Sequence, residues 1–127
     1  MDIQVTTSPN PFVRTYYSDV PLSESWQMHY FRAPLPNFLP DKDIRQFRLI
    51  GAKGERLVRL LCLIPGVSEV FLDNDHVSVI IRENGNLRWE TLDPQIADAF
   101  QPVFLEECVR FVPGTRVETH VGVSETL

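Results

Sequence analysis

Cysteine and long apolar runs are scarce in this sequence, and each scarcity excludes something. Its two cysteines, Cys62 and Cys108, stand 46 positions apart. No CxxC pair and no Cys/His pair at metal-ligand spacing exists, so thiolate metal sites and disulfide scaffolds have no ligands to work with. No apolar run approaches the ~20 residues that a bilayer-spanning helix needs. The opening MDIQVTTSPN has neither a basic start nor an apolar stretch, so no secretory signal is expected, and a reducing cytoplasmic setting is the default. Internal repeats and low-complexity tracts are missing too. What remains is an ordinary globular composition, 43% hydrophobic and 23% charged over 127 residues. That length suits one domain with its own core.

Basic residues are also few, 12 against 17 acidic ones for a net charge of −5, but they are not evenly spread. Residues 42–59 hold Lys42, Arg45, Arg48, Lys53, Arg56 and Arg59 against Asp43 and Glu55. The segment is therefore net +4, while residues 60–127 are net −7. Such a run is either the solvated face of a helix with its lead-in loop or a footprint for an anionic partner.

The order of elements follows from period and punctuation. Ile3–Thr7 and Phe12–Tyr17 read as strands of a hairpin around Ser8-Pro9-Asn10-Pro11, since prolines push their preceding residues out of helical geometry. Residues 18–43 contain Pro21, Pro34, Pro36 and Pro40, which forbid long helix there. Within it Met28–Arg32 reads as a strand, and Trp26, Tyr30, Phe31, Leu35, Phe38 and Leu39 argue that the segment packs on the body. A helix is expected over 53–64, with Leu57, Leu60, Leu61 and Ile64 on one face and Pro65-Gly66 as its stop. Val67–Leu72 and His76–Arg82 read as a second hairpin, with Val70, Leu72, Val77, Val79 and Ile81 facing inward. A helical region begins near Trp89, with Asp93-Pro94 as a candidate cap. Residues 103–112 read as a third, amphipathic helix, and 115–123 as a late alternating strand. These last two elements need one buried face, which either the body or a homodimer partner would supply.

Candidate chemistry is thin. Asp73, Asp75 and His76 cluster by sequence, but Asp and Asn in a hairpin turn ordinarily bond their own backbone. Cys62 sits near Val58 on one flank of the first helix and Cys108 falls in an apolar stripe, and both read as small buried hydrophobes. His29, His76 and His120 have no partner at a diagnostic spacing. No nucleophile elbow is present, so the chain is not expected to be an enzyme or to carry a cofactor or metal.

Gly51-Ala52-Lys53-Gly54 is the sharpest local signal. A GxxG tetrad opening a helix exposes backbone N–H groups and lets phosphates approach closely. The string Ile50 to Leu57 resembles the GxxG core of KH RNA-binding domains. On that reading Gly51, Lys53, Gly54, Arg56 and Arg59 would bind single-stranded RNA, or otherwise an anionic protein.

A wider resemblance spans three separated pieces. Ile3-Gln4 with Ser8-Pro9-Asn10-Pro11, Leu57 through Ile64-Pro65-Gly66-Val67-Ser68-Glu69-Val70-Phe71, and Val77-Ser78-Val79 through Trp89-Glu90-Thr91-Leu92-Asp93-Pro94-Gln95-Ile96 together resemble the N-terminal domain of NifU-like (Nfu) iron–sulfur scaffold proteins. The resemblance implies an α+β fold, an antiparallel sheet with helices packed mainly on one face, and Trp89 buried at the sheet edge or core. It places the domain at 1–102, with a Pro-rich insertion at about 18–50 and a C-terminal extension at 103–127. The family's cluster chemistry resides in a separate domain with a CxxC pair, and thiolates are what such clusters require. The implied function is a non-catalytic protein-interaction domain, partnered by another protein, such as iron–sulfur assembly machinery. The RNA-binding module is the alternative.

Overall fold

The computed structural model describes residues 1–83 and 87–117. Strands β1 (Asp2–Thr7) and β2 (Val13–Ser18) form the N-terminal hairpin, paired from Ile3↔Ser18 to Thr7↔Arg14. The Pro-Asn-Pro turn closes through Asn10, whose side-chain oxygen accepts the Phe12 N–H at 2.9 Å. After β3 (His29–Arg32) comes helix α1 (Asp41–Cys62), then β4 (Val67–Leu72) and β5 (His76–Ile81). Helix α2 (Trp89–Phe100), a short 3₁₀ turn (Leu105–Glu107) and β6 (Arg110–Val117) complete the order.

All six strands join one sheet in the order β3-β4-β5-β2-β1-β6, antiparallel except for the parallel β1–β6 pair. Register places Tyr16 opposite Val77, Val79 opposite Val70, and Phe31 opposite Val70 on its other side. Directly opposed residues share a face, so these side chains form one apolar surface. Both helices cover it. Phe47 of α1 stacks on Phe31 at 4.9 Å, and Phe100 of α2 meets Tyr16 at 6.3 Å and Phe111 at 5.5 Å. The inward sets expected for β4 and β5, Val70 and Leu72 with Val77, Val79 and Ile81, are all buried. The opposite face carries Thr15, hydrogen-bonded to Ser78 at 2.8 Å, and the Tyr30–Phe71 ring pair.

The Pro-rich stretch lies against the body only in part: Phe31 is buried and Leu35 and Leu39 pack partly against the core, but Trp26 and Phe38, expected to pack as well, are 82% and 93% exposed. Leu22 is fully buried, and its N–H donates to the Asn74 carbonyl at 2.7 Å. Helix formation begins much earlier than residue 53, however. Pro40 ends the proline series in an extended conformation as the N-cap, and Asp41 and Asp43 in the first turn favour the helix dipole. Half of the basic segment, read as lead-in loop, is thus helix.

Two more expectations are corrected. Asp93-Pro94 does not cap α2; the helix starts at Trp89, with Arg88 as N-cap and Pro94 inside. The helix expected at 103–112 does not form either. Val103 and Phe104 are buried, the chain makes a 3₁₀ turn, Cys108 takes φ 52°, and β6 begins at Arg110. The apolar positions that mimic one helical face serve two different burials. Phe104 packs beside Phe100, whereas Phe111 pairs with Ile3 across the β1–β6 register. The free edge of β1 supplies hydrogen bonds that a local pattern cannot reveal. Arg110 fixes the join, donating to both carboxylate oxygens of Asp2 at 3.0 and 2.9 Å. The late strand expected at 115–123 is present up to Val117, and its remainder lies outside the described residues, as does His120.

Candidate functional site

The GxxG segment is a bend within α1. Gly51 has φ 87° and ψ 175°, a region essentially reserved for glycine, so the helix breaks into halves at 41–50 and 52–62. The Glu24 N–H donates to the Ile50 carbonyl at 2.9 Å, which serves the end of the first half. The Glu24 carboxylate lies where a Cβ on Gly51 would stand. Gly54 is buried, and a Cβ there would sit 3.1 Å from Ile50 and 3.3 Å from the Leu22 carbonyl. The tetrad does open the second half-helix, but Glu24 puts a negative charge over the backbone that a phosphate would approach. Both glycines have a packing task at the bend.

The basic side chains divide by half-helix. Arg59 is committed: its Nε donates to Glu55 at 2.9 Å, and its guanidinium lies 4.9 Å from the Phe47 ring centroid. Phe47 therefore stacks between Phe31 and Arg59, locking the bend onto β3. Lys53 reaches over the Phe104 ring at 5.7 Å. Arg56 is exposed, with no hydrogen bond or ion pair among the described residues. Lys42, Arg45 and Arg48, on the outer face of the first half, are likewise exposed and unpaired among the described residues. The basic run is therefore a solvated face, with Arg59 engaged in holding the bend and Lys53 set over the Phe104 ring.

Sequence reasoning missed a second constellation. Asp93 of α2 accepts Arg14 at 2.6 Å on one oxygen and the Tyr16 hydroxyl at 2.9 Å on the other. Arg14 also lies 5.0 Å from the Trp89 ring centroid, and the Trp89 indole N–H donates to the Pro11 carbonyl at 2.9 Å. Trp89, expected to be buried at the sheet edge or core, is half-buried against the core and ties α2 to the N-terminal turn. The network floors a cleft of about 530 Å³ between α2 and the sheet, walled by Val5, Pro94, Ala97, Phe111 and Val112. Burial, followed by the neighbouring Asp93 charge, pushes the Tyr16 hydroxyl far above its usual range, so it stays protonated and donates. Alternation along β2 puts Arg14 and Tyr16 on one face, but their shared partner lies 77 or more residues away.

The remaining candidates disperse. Asp73 accepts the Asn74 N–H at 2.6 Å as a turn residue, while His76 bonds Asp75 at 2.7 Å and stacks on Tyr17. Among the described residues no three His, Cys, Asp or Glu side chains group to hold a metal. His29 is buried between Gln46 and Ser25, at 3.3 and 2.8 Å. Cys62 is buried as expected, and burial pushes its thiol up to about 12. Cys108 is exposed, against expectation, because it sits in the turn before β6. No helix among the described residues is long and apolar enough to cross a membrane.

A six-stranded, mostly antiparallel sheet covered on one face by two helices defines a small α+β domain whose outward basic helix is its most distinctive surface. The chain belongs to the family described as scaffold protein Nfu/NifU N-terminal, whose profile matches residues 3–107. The resemblance carried by the three separated motifs is thereby borne out. No curated protein matches the sequence. Among solved structures, a Staphylococcus aureus protein determined by X-ray crystallography is similar over 79% of this chain and 99% of its own, with 18% identity and a TM-score of 0.54. It shares the fold. A Staphylococcus epidermidis protein solved by NMR covers 77% of this chain and 92% of its own, with 19% identity and a TM-score of 0.46.

Proposed function

We propose that this domain is a non-catalytic protein-interaction module of iron–sulfur cluster assembly. The match of the Nfu/NifU N-terminal family over residues 3–107 is the observation that carries this reading. The state of the cysteines supports it. A cluster needs thiolates, whereas Cys62 is buried and its thiol is held protonated. Both cysteines are free thiols, which suits a reducing, cytoplasmic setting. The work of the domain is then to position a partner, with the exposed cations of α1, including Arg56, as the candidate contact.

Anaerobic reconstitution of the purified chain with iron and sulfide, followed by ultraviolet–visible spectroscopy, tests the chemistry. The expected spectrum lacks stoichiometric sulfide-to-iron charge-transfer bands. A stoichiometric cluster held by this chain alone would overturn the non-catalytic reading. Cross-linking in the native host tests the setting, and iron–sulfur proteins are expected among the captured partners.

A further inference from the structure

Helix α1 turns a single, unusual face outward between residues 41 and 50. Asp43, Phe47 and Ile50 are buried, and Gln46 bonds inward to His29 and to the Tyr30 carbonyl. At 100° per residue the opposite arc carries Ile44, Arg48, Asp41, Arg45, Leu49 and Lys42 in angular order. Lys42, Arg45 and Arg48 stand three apart, so the charges climb the helix in steps of about 4.5 Å. None of them makes an ion pair among the described residues. Leu49, 57% exposed, and Ile44, 36% exposed, flank them. Beside this face, where His29 joins Ser25 to Gln46, the chain leaves Trp26 82% exposed.

We propose that this face docks an acidic amphipathic helix of a protein partner, a reading that rests on the interaction function above and names its surface. Three cations, unpaired among the described residues and outnumbering Asp41 on the same arc, in a protein of net charge −5, are complementary to carboxylates placed once per turn. Leu49 and Ile44 give such a helix apolar contacts on both sides of the charged line, which a phosphate backbone would not use. The bend holds the face in place: Gly51 ends the half-helix, and Phe47, clamped between Phe31 and Arg59, fixes its rotation. Little ordering is left to oppose binding. Nucleic acid is the weaker fit, because the Gly51 backbone lies under the Glu24 carboxylate.

The test uses a fluorescein-labelled synthetic helical peptide with Glu once per turn and Leu between, read by anisotropy. Controls are the same peptide with Gln for Glu, and a single-stranded oligouridine. Wild-type protein is expected to bind the Glu peptide, more weakly as salt screens the charges, and to ignore the Gln peptide. The Lys42→Gln/Arg45→Gln/Arg48→Gln variant should lose about tenfold or more in affinity, and Leu49→Ser a few-fold. All four positions are on the outer arc, so circular dichroism should show an unchanged fold. Unaltered peptide binding by the triple variant would overturn the proposal. So would oligouridine binding that the triple variant loses, which assigns the face to nucleic acid, or a wild-type dimer that the triple variant dissolves, which assigns it to a second copy. A triple variant that still cross-links to iron–sulfur proteins would overturn this surface while leaving the assembly reading intact.

Discussion

The guanidinium of Arg59 lies 4.9 Å from the centre of the Phe47 ring, although the two stand twelve positions apart within α1. In a straight helix the rise alone would part them by about 18 Å. The bend at Gly51 makes up the difference, and the stack Phe31–Phe47–Arg59 holds it shut from β3 outward. A double-mutant cycle of Phe47→Leu and Arg59→Gln should yield a coupling of about 0.5–1 kcal/mol, the range for a partly exposed cation over a ring. Urea unfolding of the four proteins measures it.

The bend itself depends on Gly51. Gly51→Ala places a side chain in a backbone region that costs about 1–3 kcal/mol, and it collides with the Glu24 carboxylate. Loss of stability toward the upper end of that range is expected. Adding Glu24→Ala should recover only the collision. Gly54→Ala has an ordinary helical backbone, where the gain of about 1 kcal/mol in helix propensity offsets the tight contact with Ile50. Its effect on the urea midpoint should be small by comparison.

Asp93→Asn should weaken the tie between α2 and the hairpin. It removes a charge-assisted bond to Arg14 and alters the acceptor for Tyr16. With Asp93 37% exposed, screening reduces the expected loss to about 1–2 kcal/mol. Tyr16→Phe deletes one hydroxyl but leaves the ion pair, so about 1 kcal/mol is expected. Thermal unfolding followed by circular dichroism gives both values.

The two thiols should report the fold directly. At pH 8 a thiol-reactive dye should label Cys108 in the native protein and reach Cys62 only after denaturation. Immediate labelling of both would contradict the packing of α1.

Alkaline stability follows from the same burial. The Cys62 thiol titrates near 9.0 when free and at about 12 in the fold. The unfolded chain therefore releases this proton first as pH rises. The contribution is full below pH 9 and is lost progressively between about 9 and 12. Its size is on the order of 4 kcal/mol. Urea midpoints measured from pH 8 to 11 should fall less steeply for Cys62→Ala than for the wild type.

Most strands were legible because their signals are local. Alternation in residues 67–81 marks Val70, Leu72, Val77, Val79 and Ile81 as inward, and the Asn10 turn announces the first hairpin. The first half of α1 was not legible, since its few buried residues, Phe47 and Ile50 chief among them, stand among cations behind four prolines. The Arg14–Asp93–Tyr16 network was equally hidden, for its members are 77 or more residues apart. Of the sequence's candidate residues, Lys53, Arg56 and Arg59 do lie on one half-helix, yet Arg59 braces the bend through Phe47 and Lys53 lies over the Phe104 ring.

By itself the sequence determined the family, the two hairpins, the inward faces of β4 and β5, and the concentration of positive charge in residues 42–59. The family rests on a resemblance carried by three separated motifs, and the rest on periodicity, turn chemistry and charge, which are read over a few residues. Only the tertiary structure decided that residues 103–112 divide between a turn and a strand, because β1 offers Arg110 and Phe111 an edge to pair with. It likewise decided that GxxG makes a bend beneath Glu24. A glycine's backbone freedom is written in the sequence, but what that freedom accommodates depends on the side chain folded against it.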